Sequence, residues 1–205
     1  FFHLFFILFS LSWLSCNCPP SRAHLNKEFP LKVGMFWEYV GESDIELQQI
    51  VGYQQMPNGN WAYKKETYRY PKDSLLSESA LFISYLCLVD GELREYHPQD
   101  RPTDFTEFAL TLLFPLQKGK TWTYASDRSR TIVQVSVAEI ENVSTPAGHF
   151  RNCFKIVRHS NRWRFTLIDW FKPGVGFVKK KFIHVGTVDS ELVRYGTTEV
   201  KRKNQ

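Results

Sequence analysis

The sequence predicts a mainly β domain, an antiparallel meander curled into a barrel-like or strongly bent sheet. Three observations indicate this fold class. Apolar and polar residues alternate along most of the chain, which is the period of a half-buried strand. Turn signals such as Asn58-Gly59 and Asp90-Gly91 separate these runs, and such dipeptides favour tight hairpins. Aromatic residues make up 16% of the chain, against two methionines, and aromatic side chains favour strands.

An internal repeat divides the domain into two related halves, residues 29–113 and 114–200. The pattern F-P-L-x-x-G-x-x-W-x-Y begins at Phe29 and again at Phe114, 85 residues later. In each copy the proline limits the chain to an extended path, and the glycine permits a turn with positive φ. The tryptophan and tyrosine are two positions apart, so they share one face of a strand. We expect six residues of the repeat to be structural: Gly34, Trp37, Tyr39, Gly119, Trp122 and Tyr124.

The rest of the pattern predicts about ten strands in all, linked mostly by hairpins. After the first repeat, the predicted strands cover residues 45–53, 61–70, 81–89 and 92–96. After the second, they cover residues 133–137, 150–158, 163–167, 177–185 and 192–195. The run Pro173-Gly174-Val175-Gly176 predicts a tight turn in which Gly174 and Gly176 are structural. Residues 201–205 are predicted to be a frayed tail.

One segment before the second repeat predicts a short helix. Asp104 and Glu107 have the spacing of a capping box. The apolar residues that follow have helical spacing: Phe105, Phe108, Ala109 and Leu112.

The N-terminal residues predict export. Residues 1–15 read FFHLFFILFSLSWLS, which is too short to span a bilayer, since that takes about 20 residues. They have the length of a signal-peptide h-region, truncated because the chain begins at Phe1 with no charged n-region. Leu14-Ser15-Cys16 resembles a bacterial lipoprotein signal, so we predict acylation of Cys16 and a lipid anchor and tether over residues 16–28. An ordinary secretory signal or a buried apolar strand is the alternative.

Three segments together resemble one group of proteins. They are the repeat pattern, the stretch Thr145-Pro146-Ala147-Gly148-His149-Phe150-Arg151-Asn152-Cys153, and the stretch Phe171-Lys172-Pro173-Gly174-Val175-Gly176-Phe177-Val178-Lys179. The group is the uncharacterised bacterial envelope lipoproteins that carry PLxxGxxWxY, PAGxFxNC and PGVGxVK motifs. The resemblance covers most of the chain after Phe29. It implies a β-rich envelope domain, and no reaction or catalytic residue comes with it.

The sequence offers no pattern that is typical of catalysis. It contains no nucleophile elbow and no phosphate-binding glycine loop. Its six histidines have none of the spacings of a zinc site, and His149 is interpreted as a solvated turn residue. We therefore expect no catalytic residue, no metal and no cofactor. Cys87 and Cys153, one in each half, could form a disulfide in an exported protein, or they could be two buried free thiols.

The charge pattern excludes few partners. The net charge is +5, and basic residues accompany aromatic ones in residues 158–164 and 179–181. Single-strand binders use such patterns, but export argues against nucleic acid. We interpret these runs as solvated strand faces, with contact to anionic lipid headgroups as an alternative.

Three functions remain open at this point. The first is a lipid-anchored, non-catalytic binding or assembly module of the bacterial envelope, secreted if Cys16 is not acylated. It would contact the membrane through its anchor and an envelope protein through an exposed patch. The second is a carrier that holds a lipid or other apolar ligand inside the barrel. The third, ranked last, is an envelope hydrolase.

Overall fold

The computed structural model describes residues 27–56, 61–72, 80–97, 109–125, 131–160, 164–184 and 186–198. The predicted signal peptide, Cys16 and the tail at residues 201–205 lie outside the described residues. The Asn58-Gly59 turn and residues 104–108 of the predicted helix also lie outside them.

The described residues form one antiparallel sheet of twelve strands, which confirms the predicted β fold class. The strands are β1 Met35–Gly41, β2 Asp44–Gln55, β3 Trp61–Pro71, β4 Ala80–Val89, β5 Glu92–Tyr96, β6 Ala109–Leu113, β7 Thr121–Ala125, β8 Ile132–Thr145, β9 Gly148–Ser160, β10 Phe165–Lys172, β11 Gly176–Ile183 and β12 Thr187–Thr197. Their order in the sheet is β6-β5-β4-β3-β2-β1-β12-β11-β10-β9-β8-β7. Each half is thus a six-stranded meander, and the halves join where β1 pairs with β12.

The sheet curls so far that its two edge strands, β6 and β7, approach each other and nearly close a barrel. Side chains bridge this seam in place of a backbone ladder. The indole Nε1 of Trp122 on β7 donates to the carbonyl oxygen of Leu110 on β6, at 3.4 Å. The guanidinium Nη2 of Arg158 on β9 reaches across the interior to the carbonyl oxygen of Thr111, at 3.1 Å. These bonds satisfy edge carbonyls of β6 that would otherwise be open to pairing with another chain.

The two copies of the repeat close one end of the barrel, which we call the closed end. Gly34 and Gly119 take φ values of 90° and 85°. Their N–H groups donate to the carbonyl oxygens of Ile50 and Val137, both at 2.8 Å. A side chain would be strained at such φ values, so glycine turns the chain here before each aromatic strand.

Aromatic rings fill the closed end. Phe29 and Phe114, the first residues of the two repeats, both contact the fully buried Phe171, with ring centroids 6.1 Å and 5.8 Å away. The indole Nε1 of Trp37 donates to the carbonyl oxygen of Val175 at 2.6 Å. This packing buries both entry segments and ties the first half to the PGVG turn of the second.

We call the opposite end of the barrel the open end. It carries the connections within six pairs of strands: β1 and β2, β3 and β4, β5 and β6, β7 and β8, β9 and β10, and β11 and β12. Among the described residues, no cluster of aromatic rings fills the open end as one fills the closed end. The interior therefore changes along the barrel axis, from a filled core at the closed end to a cavity towards the open end.

The predicted helix is wrong over the part that the structure describes. Ala109–Leu113 is strand β6, which pairs with β5. Leu110 and Leu112 are buried and their neighbours are only partly buried, which is the period of a strand. Leu112 lies opposite Leu93 of β5, and both are almost fully buried. Packing against β5 therefore outweighs the local helical spacing.

The disulfide that Cys87 and Cys153 could form is absent. Both are free, buried cysteines. Cys87 packs in a small cluster with Met56 and Ala62, whereas Cys153 belongs to the main core. Burial raises the pKa of both thiols, and each behaves as a small apolar side chain.

Candidate functional site: a charged cavity in the barrel

A cavity of about 580 Å³ opens at the open end of the barrel. Its volume is within the range of small-molecule sites in proteins. Its wall is unusual for a barrel interior because, within the described part of the chain, seven charged side chains line it: Glu46, Lys65, Arg69, Glu95, Arg158, Asp169 and Lys180. They come from six strands in both halves, and each points inward by the alternation of its strand.

Glu46 on β2 is the centre of the largest group. Its carboxylate accepts hydrogen bonds from Gln48 Nε2 at 2.6 Å, Arg69 Nη2 at 2.8 Å and Lys180 Nζ at 3.2 Å. The Lys180 ammonium also lies over the ring of Tyr39, 4.0 Å from its centroid. The sheet register produces this group, because Tyr39 pairs with Glu46 and Glu46 pairs with Arg69.

Burial alone would raise the pKa of Glu46, but the Lys180 charge and the hydrogen bonds from Arg69, Gln48 and Lys180 together bring it to about 2. The charge of Glu46 also acts on Tyr39, its pairing partner on β1. The hydroxyl of Tyr39 is fully buried and donates to the carbonyl oxygen of Phe177 at 2.9 Å. Burial, and secondly the Glu46 charge, raise the pKa of Tyr39 well above its usual value. Glu46 is therefore a fixed negative charge at neutral pH, and Tyr39 a fixed neutral donor.

A second ion pair joins Lys65 on β3 to Glu95 on β5, at 2.7 Å between Nζ and Oε1. Burial would raise the pKa of Glu95, but the nearby charges of Lys65 and His97 and the hydrogen bond from Lys65 lower it to about 2. The pair spans strand β4, which lies between the two strands that carry it.

A third ion pair joins Arg158 on β9 to Asp169 on β10, and it is the most buried of the three. The side chains are 5% and 4% exposed. Burial lowers the pKa of Arg158 from its usual value, but an arginine stays charged at any physiological pH. Arg158 also lies against the ring of Phe177, 5.7 Å from its centroid. The interpretation of residues 158–164 as a solvated face is thus wrong for Arg158, which points into the barrel.

Acid is expected to destabilise the protein through Glu46 and Glu95. Their folded-state pKa values of about 2 lie below the ordinary 4.5, so their contribution is fully present above about pH 4.5 and is lost as the pH falls towards about 2. A shift of this size corresponds to about 3 kcal/mol per carboxyl. Urea unfolding at a series of pH values measures the loss, and Glu95→Gln should flatten the curve. An equal free energy of unfolding at about pH 5 and about pH 2.5 would contradict this assignment.

The cavity also has apolar walls. Phe82, Leu167 and Phe177 line it together with Tyr124. Phe82 on β4 is 38% exposed, and the guanidinium of Arg69 lies 5.6 Å from the centroid of its ring. The cavity wall thus combines paired charges with exposed aromatic carbon, and Phe82 lies directly beside Arg69.

The residues that the sequence singled out lie around the cavity or below it. Tyr124 lines the cavity, whereas Trp37 and Trp122 are buried in the core. Gly174 and Gly176 have φ values of 78° and 108° and form the turn against which Trp37 packs. These residues build the scaffold, and Tyr124 alone among them is also part of the cavity wall.

Sequence reasoning missed the charged wall. Its seven residues are distributed over six strands, and local spacing does not show which face of a strand points inward. One signal was present on β2, where Glu46 and Gln48 share the inward face with their partners Tyr39 and Trp37 on β1. A strand that places polar residues beside buried aromatic ones indicates a polar interior.

His149 lies on the exposed face of the β8–β9 hairpin. Its Nδ1 is 2.8 Å from the hydroxyl of Ser144, and the pair is not part of the cavity wall. Within the described part of the chain, no group of three or more histidine, cysteine, aspartate or glutamate residues could hold a metal ion. The same residues include no helix that is long and apolar enough to cross a bilayer.

Comparisons with known proteins reveal the fold. The sequence matches no protein-family profile and no curated protein. A solved structure from Bacteroides fragilis, described as an exported protein with a YmcC-like fold, is similar with a TM-score of 0.54 and 15% identity, over 83% of this chain and 99% of that one. A Parabacteroides distasonis structure, described as a lipoprotein, has a TM-score of 0.45 and 15% identity, over 82% and 97% of the two chains. The first likeness shows that this chain has a YmcC-like fold.

Proposed function

We propose that this protein is a non-catalytic binding module of the bacterial envelope that holds a small ligand in the barrel cavity. The observation that carries the proposal is the cavity itself, a space of about 580 Å³ with polar and aromatic walls at one end of an otherwise filled barrel. A protein interior is normally packed without such voids. Keeping several ionised side chains around one costs desolvation energy, which a binding role would explain.

Placement in the envelope is supported by the sequence. The apolar run at residues 1–15 has the length of a signal-peptide h-region, and Cys16 follows it in a lipoprotein-like context. The first described residues, from Lys27, lie at the closed end, where the Gly174 N–H donates to the Glu28 carbonyl oxygen at 2.9 Å. An anchor at Cys16 would therefore attach to the domain at its closed end, the end opposite the cavity. The Bacteroides fragilis protein is described as exported, which agrees with this placement. The resemblance to envelope lipoproteins agrees with it too.

The state of the carboxylates supports binding without catalysis. A general acid that works near neutral pH needs a raised pKa, whereas Glu46 and Glu95 are held at about 2. Each also sits in an ion pair that would have to break before it could act as a base. The charged wall equally disfavours the lipid carrier, because covering these groups with hydrocarbon would leave them without solvent.

Native mass spectrometry of the protein isolated from its own membranes tests the proposal. We expect an extra mass that organic or acid extraction removes. Thr67→Trp should abolish it, because Thr67 lines the cavity and an indole would fill part of that space. Thr123→Trp, a matched change on the exposed face of β7, should leave it in place. An extra mass that survives in Thr67→Trp, or none in the wild type, would count against the cavity as a binding site.

A further inference from the structure

The cavity is richer in hydrogen-bond donors than in acceptors. Among the described residues, four cationic side chains line it, namely Lys65, Arg69, Arg158 and Lys180, and three carboxylates, Glu46, Glu95 and Asp169. Asp44 adds a contact to Arg69 Nε at 3.2 Å, from outside that wall. The charges therefore nearly balance, and the contacts among these residues show which hydrogen-bonding groups remain open to a ligand.

The acceptors are largely used by the protein. Glu46 already accepts three hydrogen bonds, from Gln48, Arg69 and Lys180. A carboxylate has about four acceptor positions, so little capacity is left there for a ligand donor. The charge of Lys180 and these hydrogen bonds together hold its pKa at about 2.

The donors keep spare capacity. An ammonium carries three N–H groups, and the contacts among the described residues use one at Lys65, to Glu95, and one at Lys180, to Glu46. Arg69 is the most accessible of the four cations that line the cavity, with its side chain 49% exposed. Free N–H groups on partly buried cations are best satisfied by an anionic oxygen, which forms shorter and stronger hydrogen bonds than a neutral acceptor.

The aromatic part of the wall adds a second requirement. The Phe82 ring is exposed beside Arg69, and Leu167 and Phe177 are further apolar members of the wall. An inorganic ion would leave these groups facing water, whereas an organic molecule would cover them. The volume of about 580 Å³ suits a single molecule of drug-like size.

We infer, resting on the proposed function, that the cavity binds a small organic anion. Such a molecule presents a carboxylate, sulfonate or phosphate to Lys180 and Arg69, which both contact Glu46, and an apolar body to Phe82. The anionic group would use the spare donors without displacing Glu46 or Glu95 from their ion pairs.

Two fluorescent probes test separately how much the anionic group and the apolar body of a ligand contribute to its affinity. 8-Anilinonaphthalene-1-sulfonate carries a sulfonate, and N-phenyl-1-naphthylamine has the same rings without it. The wild-type protein should bind the sulfonate at one site at least about tenfold more tightly than the neutral probe, a difference of about 1.4 kcal/mol. Equal affinity would overturn the anion inference and leave cavity binding intact. If neither probe bound, the anion inference would fail, whereas the extra mass in the native spectrum would still decide the proposed function.

Adjacent lysines provide the matched variants. Lys180→Gln should weaken sulfonate binding about tenfold or more, because Lys180 lines the cavity. Lys179→Gln should leave it unchanged, because Lys179 is absent from the cavity wall and pairs with Glu191 at 2.6 Å. Arg69→Gln is the second test if Lys180→Gln fails to fold, since Arg69 is half exposed. Equal weakening by Lys179→Gln and Lys180→Gln would overturn the inference.

Displacement identifies the source of the anion. Octanoate, a soluble carboxylate with an alkyl chain, should displace the bound sulfonate probe. Displacement by phosphatidylglycerol vesicles and not by octanoate would place the anion in a lipid headgroup and overturn the assignment to a free small molecule.

Discussion

Replacing Asp169 with asparagine is expected to destabilise the protein by about 3–5 kcal/mol, because it leaves the Arg158 guanidinium buried without its counter-ion. Both side chains are about 95% buried, so water in the cavity that they line replaces the lost carboxylate only in part. Arg158 cannot lose its proton to relieve the cost. Urea unfolding at neutral pH measures the change in the free energy of unfolding.

Replacing both members of the pair should reverse most of that loss. In Arg158→Met/Asp169→Leu neither position leaves an unpaired buried charge, and apolar substitutes for buried ion pairs are often neutral or stabilising. The more accessible pair Lys179–Glu191, with side chains 27% and 37% exposed, is the control, where Glu191→Gln should change stability by less than about 1 kcal/mol. If Asp169→Asn lowered the free energy of unfolding no more than Glu191→Gln does, the Arg158–Asp169 pair would not be buried as described.

Gly176→Val is expected to cost about 2–5 kcal/mol, the sum of backbone strain and overpacking. Gly176 has a φ of 108°, and a Cβ built there lies 3.0 Å from Trp37 Nε1. Valine would strain the backbone and press on the indole that donates to the Val175 carbonyl oxygen. Since this contact ties the closed end together, the melting temperature should fall as well.

Gly52→Val is the matched control for that substitution. Gly52 lies in strand β2, and a Cβ built there meets nothing within 4 Å. Because valine favours strands, the melting temperature should change little. An unchanged melting temperature for Gly176→Val, or an equal loss in both variants, would contradict the role assigned to the PGVG turn.

The fold could be predicted from the sequence because its determinants are local. Alternation placed Val133, Val135 and Val137 on one face, and all three are buried. Asp90 and Gly91 both have positive φ, as their hairpin signal predicts. The prediction was wrong at Ala109–Leu113, where short apolar spacing fits a helix as well as a strand and pairing with β5 decides.

The site could not be predicted in the same way because it is not local. In the run Lys179-Lys180-Lys181, alternation indicates that the middle residue faces opposite to its neighbours, but it does not say which face is inside. Lys180 faces the cavity only because β11 pairs with β10 and so places it opposite Asp169. The register of the whole sheet, rather than any motif, brings Glu46 and Lys180 together across 134 residues of sequence.

The most direct test of the central claim is a crystal structure of the protein with 8-anilinonaphthalene-1-sulfonate. The account predicts the dye inside the barrel, with a sulfonate oxygen about 2.7–3.2 Å from Lys180 Nζ and its rings against Phe82. Dye bound only on the outer face of the sheet, with the cavity free of it, would contradict the account.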